Sequence, residues 1–204
     1  KPTIDLISIG IICEDGREYY AISKDFNLKE AWNRYDLKNV RTQESLENDY
    51  IDYENIKVYW IRDNVLKPIW EELIVKEFKV DFLAELENPF TYKGLKYLIK
   101  KYGKTNKQIA EEIKHFVANR PISANKEQWI LEYDTKDVQF YGYYSDYDWV
   151  VFCWLFGKMI DLPKGFPMYC IDLKQILDEI ASNWKGNFQQ TLQIFCDDFD
   201  SKLD

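Results

Sequence analysis

Histidine is almost missing from this chain: His115 is the only one in 204 residues. A histidine-based metal cluster is therefore excluded from the sequence given. His115 lies beside a helical apolar pattern (Ile109, Ile113, Phe116, Val117) rather than in it, which predicts an ordinary surface position and no catalytic role. Cysteine is also sparse. Cys13, Cys153, Cys170 and Cys196 are scattered through apolar neighbourhoods with no CxxC pair. That spacing argues against zinc and for buried free thiols in a reducing cytoplasm. No run of about eighteen apolar residues exists, so no membrane span is expected. Positive charge is in deficit, with 27 Lys and Arg against 35 Asp and Glu and a net charge of −8. Such a balance argues against a broadly basic surface gripping long nucleic acid through many phosphates.

What is present is apolar and aromatic. Hydrophobic residues make up 46% and aromatic residues 17% of the chain, enough to bury a sizeable core in one domain spanning residues 1–204. Thr3 to Ser23 reads as a β-hairpin turning at Asp15-Gly16. Gly10 inside its first strand points to a close approach of backbone or ligand, or to a tight packing contact. Lys24 to about Lys57 is polar and mixed, and reads as a surface excursion. Helical spacing follows, with Pro68 either in the first turn of a helix or bending one. Tyr92, Leu95, Leu98, Ile99 and Tyr102 form one stripe, ended by Gly103 in the left-handed role. Thr105 and Gln108 form a capping box for the next helix.

Asp137 to Tyr144 alternates with period two, as a strand does. Ser145 or Asp146 then caps a helix through Phe156 that is apolar nearly all round and so expected to be buried. Gly157 ends it. "PMYCI", Pro167 to Ile171, reads as a short strand and precedes Asp172, which caps the helix from Leu173. The last residues carry an apolar helical segment and an acidic tail. The order of elements indicates an α/β fold with a helical insertion between the hairpin and the later strands.

Asp146 and Asp148 stand where the chain turns apolar, just past the carboxyl end of a strand. Open α/β sheets bind ligands outside such ends, and a helix N-terminus favours an ionised carboxylate. A carboxylate there can hold a hard cation such as magnesium. A metal site would also supply the positive charge that the chain lacks for a short nucleic-acid strand. Ser-Asp-x-Asp is equally ordinary capping chemistry. Tyr143, Tyr144 and Trp149 have two readings as well, stacking on a nucleobase or packing in the core.

Taken in order, "IDLISIGIICEDGREYYAIS" and "YYSDYDWVVFCWLFGKMIDLPKGFPMYCIDLKQIL" resemble the DEDD 3′–5′ exonucleases of the RNase H-like superfamily. Within that superfamily they resemble the branch of mycobacterial-type 3′–5′ exoribonucleases, related to RNase T. "LISIG", Leu6 to Gly10, is similar to the first apolar strand, and Tyr147-Asp148 to the second acidic motif. "YWIRDNV" and "YGKTNKQIAEEIKHFV" are similar to the branch's helical region. The resemblance implies a mixed β-sheet flanked by helices. It also implies hydrolysis of a 3′-terminal phosphodiester of single-stranded RNA by two Mg2+ or Mn2+ ions roughly 4 Å apart. Asp148 would be a metal ligand, with Asp146 in reserve, and Tyr144, Trp149 and Gly10 would meet substrate. Related exonucleases are often homodimers, and the aromatic-rich helices offer material for an interface.

Two motifs of the family are not in the sequence. No Asp-x-Glu precedes Ile4, and Asp197, Asp198 and Asp200 have no histidine near them. With no initiating methionine, the expectation is a piece of a longer protein rather than a degenerate nuclease. A deoxyribonuclease of the same superfamily and a nuclease fold that only binds are the alternatives.

Overall fold

The computed structural model describes residues 5–42, 53–78, 90–118 and 138–183. They form a mixed α/β structure with three two-stranded ladders. The chain divides into two compact units, one of them Asp5–Asn106 and the other built from Lys107 onward. No helix among the described residues is long and apolar enough to cross a membrane.

In the first unit the expected hairpin is present. β1 (Ser8–Ile12) pairs antiparallel with β2 (Glu18–Ile22), Gly10 opposite Tyr20. Asp15 holds the turn by accepting the Arg17 backbone N–H at 3.1 Å and its Nε at 2.6 Å. The stretch from Lys24 to Lys57, read as an irregular excursion, contains regular structure instead. A short helix α1 (Leu28–Asn33) is capped by Asn27, which accepts from the Glu30 N–H at 3.1 Å. It leads to a second antiparallel hairpin of β3 (Asp36–Arg41) and β4 (Tyr53–Val58). These strands are exposed on nearly every residue. They therefore carry no period-two hydrophobic pattern, the signal by which a half-buried strand is recognised.

Pro68 is the second residue of α2 (Lys67–Phe78), which continues from a π turn at Arg62–Leu66. There the Lys67 N–H reaches back to the Arg62 carbonyl. A wider turn before the proline is a known accommodation for its missing donor and bulky ring. α3 (Tyr92–Tyr102) starts at Thr91, whose hydroxyl accepts the Gly94 N–H at 3.1 Å. Its expected stripe faces inward: Leu95, Leu98 and Ile99 join Leu66, Ile69, Trp70, Leu73 and Ile74 in one core. Full burial of each such side chain contributes about 1.5–3 kcal/mol.

Gly103 is not left-handed as expected, but extended at φ −71° and ψ 152°. Its requirement is steric. A Cβ there would lie 2.5 Å from the Ile99 carbonyl oxygen and 3.1 Å from Lys24 Cβ. The helix end is packed against the segment after β2, where the Lys104 N–H donates to the Ile22 carbonyl and the Lys24 N–H to the Lys104 carbonyl.

In the second unit, α4 (Asn106–Val117) buries Ile109, Ala110 and Ile113. It also buries His115, at 7% exposure, which corrects the surface assignment. Two residues past Ile113, an imidazole lies off the strict apolar stripe, but its ring is long enough to be covered from the flank. β5 (Tyr141–Gly142) pairs in parallel with β6 (Ile171–Asp172), joined through α5 (Asp146–Phe156). The strand expected to reach Tyr144 ends two residues earlier. α6 (Leu173–Asn183) follows β6 directly.

The expectation that α5 is buried all round fails. Val151, Phe152 and Cys153 are buried, while Tyr147, Val150 and Trp154 are 71%, 40% and 50% exposed on another stripe. A helix apolar on every face encodes no direction, so sequence cannot say which side is covered. Its inner side meets an aromatic cluster, Phe152 lying 5.1 Å from Phe140 and 6.3 Å from Phe166 between ring centroids. Cys13 and Cys170 are half-buried free thiols and Cys153 is a buried one. Cys196, the terminal helical segment and the acidic tail lie outside the described residues.

Candidate functional site

The carboxyl ends of β5 and β6 turn into helices side by side. After Gly142 the chain reverses through Tyr143, Tyr144 and Ser145 into α5. Tyr144 adopts a left-handed backbone, φ 55°, and Ser145 is buried at 4% exposure. The turn is tight enough that a Cβ on Gly142 would stand 2.6 Å from Ser145 Cβ.

Asp172 binds the two turns together. Its Oδ2 accepts the Ser145 N–H at 3.0 Å and its Oδ1 the Lys174 N–H at 2.7 Å. Burial opposes ionisation here. The backbone N–H groups of Lys174, Ser145, Gln175 and Tyr144 outweigh it and hold the carboxyl below the usual carboxylate range. The capping role expected of Asp172 is thus present, with the α5 turn as a second client.

Asp148 is the third residue of α5 and is exposed. Neither it nor the exposed Asp146 makes a hydrogen bond or ion pair among the described residues. The charges of Asp172 and Asp148 both act on the Cys170 thiol, which puts the two carboxylates in one neighbourhood. Burial pushes that thiol up first, and the two carboxylates add to it against an opposing hydrogen bond from Ser145. Cys170 is therefore a neutral thiol rather than a nucleophilic thiolate.

Tyr144 is 64% exposed beside the half-exposed Tyr143, ring centroids 5.0 Å apart. The Lys174 ammonium stands 5.6 Å from the Tyr144 ring and pairs with Asp178, which raises its pKa. Trp149 is half-buried. Its ring stacks on Phe152 at 5.0 Å and 12°, and its indole N–H donates to the Met168 carbonyl at 3.3 Å. These contacts hold the first turn of α5 in place. Gly10 belongs to the unit Asp5–Asn106, at the centre of β1, where an added Cβ would meet nothing within 4 Å.

Cys170 and Lys174 were not singled out from sequence. The signal was their spacing: each lies two residues from Asp172, where a strand end and a helix start share one face of the turn. Among the described residues no group of three or more His, Cys, Asp and Glu side chains is placed to hold a metal ion. Asp148 can contribute one open carboxylate to a hard cation. The described residues do not by themselves complete a two-metal cage.

No family model matches the sequence. The chain is similar to two proteins named 3′-5′ exoribonuclease. They come from Mycobacterium tuberculosis, strains CDC 1551 and H37Rv. Each is 24% identical over 178 residues, covering 87% of this chain and 67% of the relative.

Proposed function

We propose that this chain is part of a cytoplasmic 3′–5′ exoribonuclease of the DEDD, RNase H-like type, which removes nucleotides from the 3′ end of single-stranded RNA. The observation that carries the reading is the similarity to the mycobacterial 3′-5′ exoribonucleases across 87% of the chain. The exposed carboxylate of Asp148 at the strand ends, without a hydrogen bond or ion pair among the described residues, is compatible with it.

In this reading Asp148 is a ligand of a two-ion Mg2+ or Mn2+ site, and Asp146 can join it through water. Bound ions would activate water and stabilise charge on the phosphoryl group. The chain's own contributions are positional. Asp148 stands in the N-terminal turn of α5, and Asp172 fixes that turn through the Ser145 N–H. Tyr144 offers an exposed ring to a terminal base.

The test is an assay of the intact protein on 3′-labelled RNA and DNA oligomers, with Mg2+, Mn2+ or a chelator. RNA trimming that the chelator abolishes is expected. Asp148→Asn should lower it more than about 100-fold, beyond the usual cost of losing an outer-shell partner, while melting like the parent. Trimming of DNA alone would make the protein an exodeoxyribonuclease. Metal-independent RNA binding with no trimming would make it a binding module. Parent-level trimming by Asp148→Asn would remove Asp148 from the site.

A further inference from the structure

The stretch from Asn88 to Ala110 holds Lys93, Lys96, Lys100, Lys101, Lys104 and Lys107 and no Asp or Glu, in a chain of net charge −8. Four of these lysines lie on α3, whose sequence contains no acid. Lys93, Lys96, Tyr97 and Lys100 stand at helical spacings i, i+3, i+4 and i+7 and so share one stripe. It lies opposite the buried stripe of Leu95, Leu98 and Ile99. The three lysines of the outer stripe are exposed, and Tyr97 between them is 57% exposed. Lys93, Lys96 and Lys100 make no hydrogen bond or ion pair among the described residues.

Helix stability does not account for this stripe. Lysines on a solvated helix face are commonly set against acids one turn away. α4 does this with Lys114 and Glu111 at 2.8 Å, and α6 with Lys174 and Asp178. On α3, Lys93 and Lys96, and Lys96 and Lys100, repel each other at the same spacings. Lys100 and Lys101 suit the last turn, but Lys93 stands in the first, where the helix dipole opposes a cation. Glu77 of α2 reaches α3 at Lys101, 2.7 Å away, and at Tyr102, and its side chain is 15% exposed. That pair neutralises Lys101 beside the stripe and leaves the other three cations.

We propose that the Lys93–Lys96–Tyr97–Lys100 face of α3 binds the phosphate backbone of single-stranded RNA. The choice of RNA rests on the exonuclease reading; the charge and the spacing do not. Three cations on one face create a local field that attracts an anion, and each phosphate they meet releases counterions. Along the helix axis Lys93 and Lys100 are about 10.5 Å apart with Lys96 between them, a span of about three nucleotides in a stacked strand. Lysine is a flexible point charge, suited to a backbone held without reading its sequence. Tyr97 gives one base a ring to stack on. An anionic membrane is the poorer partner, because the apolar face that would enter it is already buried in the core. An acidic peptide offers Tyr97 no flat face.

The experiment uses the intact protein carrying Asp148→Asn, held in a chelator so that RNA survives, and a fluorescent single-stranded oligoribonucleotide. Anisotropy titrations over a range of salt give the affinity and its salt slope. Lys93→Ala/Lys96→Ala/Lys100→Ala should weaken binding more than about tenfold and flatten the slope by about 2, the loss of three single-strand phosphate contacts. Lys93→Arg/Lys96→Arg/Lys100→Arg keeps the charge and should stay within about twofold, as should Lys29→Ala on the exposed side of α1. Alanine and arginine both favour helix, so every variant should melt with the parent. Unchanged affinity and slope in the triple alanine variant overturn the proposal, as does a triple alanine variant that keeps its RNA affinity but loses binding to phosphatidylserine vesicles or polyglutamate. Equal weakening by the arginine set overturns it too, since charge would then not be the cause. The two readings fail separately. Trimming by the unsubstituted protein together with an intact Kd in the triple alanine variant removes only the α3 face. RNA binding through the three lysines in a chain that trims nothing removes only the exonuclease.

Discussion

An alanine at position 142 would place its Cβ 2.6 Å from Ser145 Cβ, where ordinary contact begins at 3.4 Å. The two carbons must therefore part by about 0.8 Å before the contact is tolerable. Neither is the loose end of a flexible side chain, so the backbone has to move. Ser145 cannot move freely. Its N–H is held by Asp172 at 3.0 Å and its carbonyl by the Trp149 N–H at 2.7 Å. Overpacking of this kind costs about 1–3 kcal/mol. Because Asp148 lies in the same helical turn, a displacement near 1 Å should also lower RNA trimming about 100-fold. Urea unfolding of Gly142→Ala followed by tryptophan fluorescence, beside the trimming assay, reads both effects. Gly10→Ala is the control. With nothing within 4 Å of its Cβ, it should be neutral or stabilising by about 0.5–1 kcal/mol. A Gly142→Ala protein with the parent's unfolding midpoint and trimming rate would refute the geometry of the turn.

Two further outcomes follow from the ionisable groups at the same strand ends. Asp172 has a lowered pKa in the folded chain, so the unfolded chain binds its proton first as pH falls. The stability this carboxylate contributes is fully present above the usual carboxylate range, near pH 4, and is lost as pH drops through the lowered value. Thermal melts from neutral to acid should show a shallower acid decline in Asp172→Asn than in the parent; equal slopes would contradict the shift. Cys170, with its thiol pushed up by burial first, should alkylate more slowly with iodoacetamide at pH 8 than a free cysteine. Labelling at or above the free rate, located by mass spectrometry, would contradict its burial.

The sequence was readable where one face of an element is buried and the other wet. The β1–β2 hairpin follows from its apolar run and its Asp15-Gly16 turn, and the Leu95, Leu98, Ile99 stripe of α3 from its period; Gly157 ends α5 where expected, but Ser145 at its start makes no side-chain cap. Legibility was lost where that contrast is absent. β3 and β4 are exposed on nearly every residue and looked like loop, so their pairing was invisible in the sequence. α5 is apolar on all sides, and its exposed Tyr147, Val150 and Trp154 could not be told from its buried Val151, Phe152 and Cys153. His115 was placed at the surface because it falls beside the Ile109–Ile113 stripe, yet it is buried. Gly103 was assigned by its habit of ending helices left-handed, whereas the close Ile99 carbonyl is what excludes a side chain.

Asp172 makes the cap that its position predicted, whereas Asp148, in the same kind of position, does not. Both sit where a strand gives way to a helix, and both act on Cys170. What separates them is the number of backbone donors within reach. Asp172 faces two turns at once and takes N–H groups from each. An acceptor so saturated by amides has its lone pairs directed away from any cation, and its role is to hold the turns. Asp148, inside the first turn of α5, meets no such donors among the described residues. It keeps its charge in reach of solvent at the positive end of a helix. The turn after β5 is tight enough that a Cβ on Gly142 would stand 2.6 Å from Ser145 Cβ, and the Ser145 N–H of that turn goes to Asp172, reaching across from β6, rather than to a carboxylate of α5 itself.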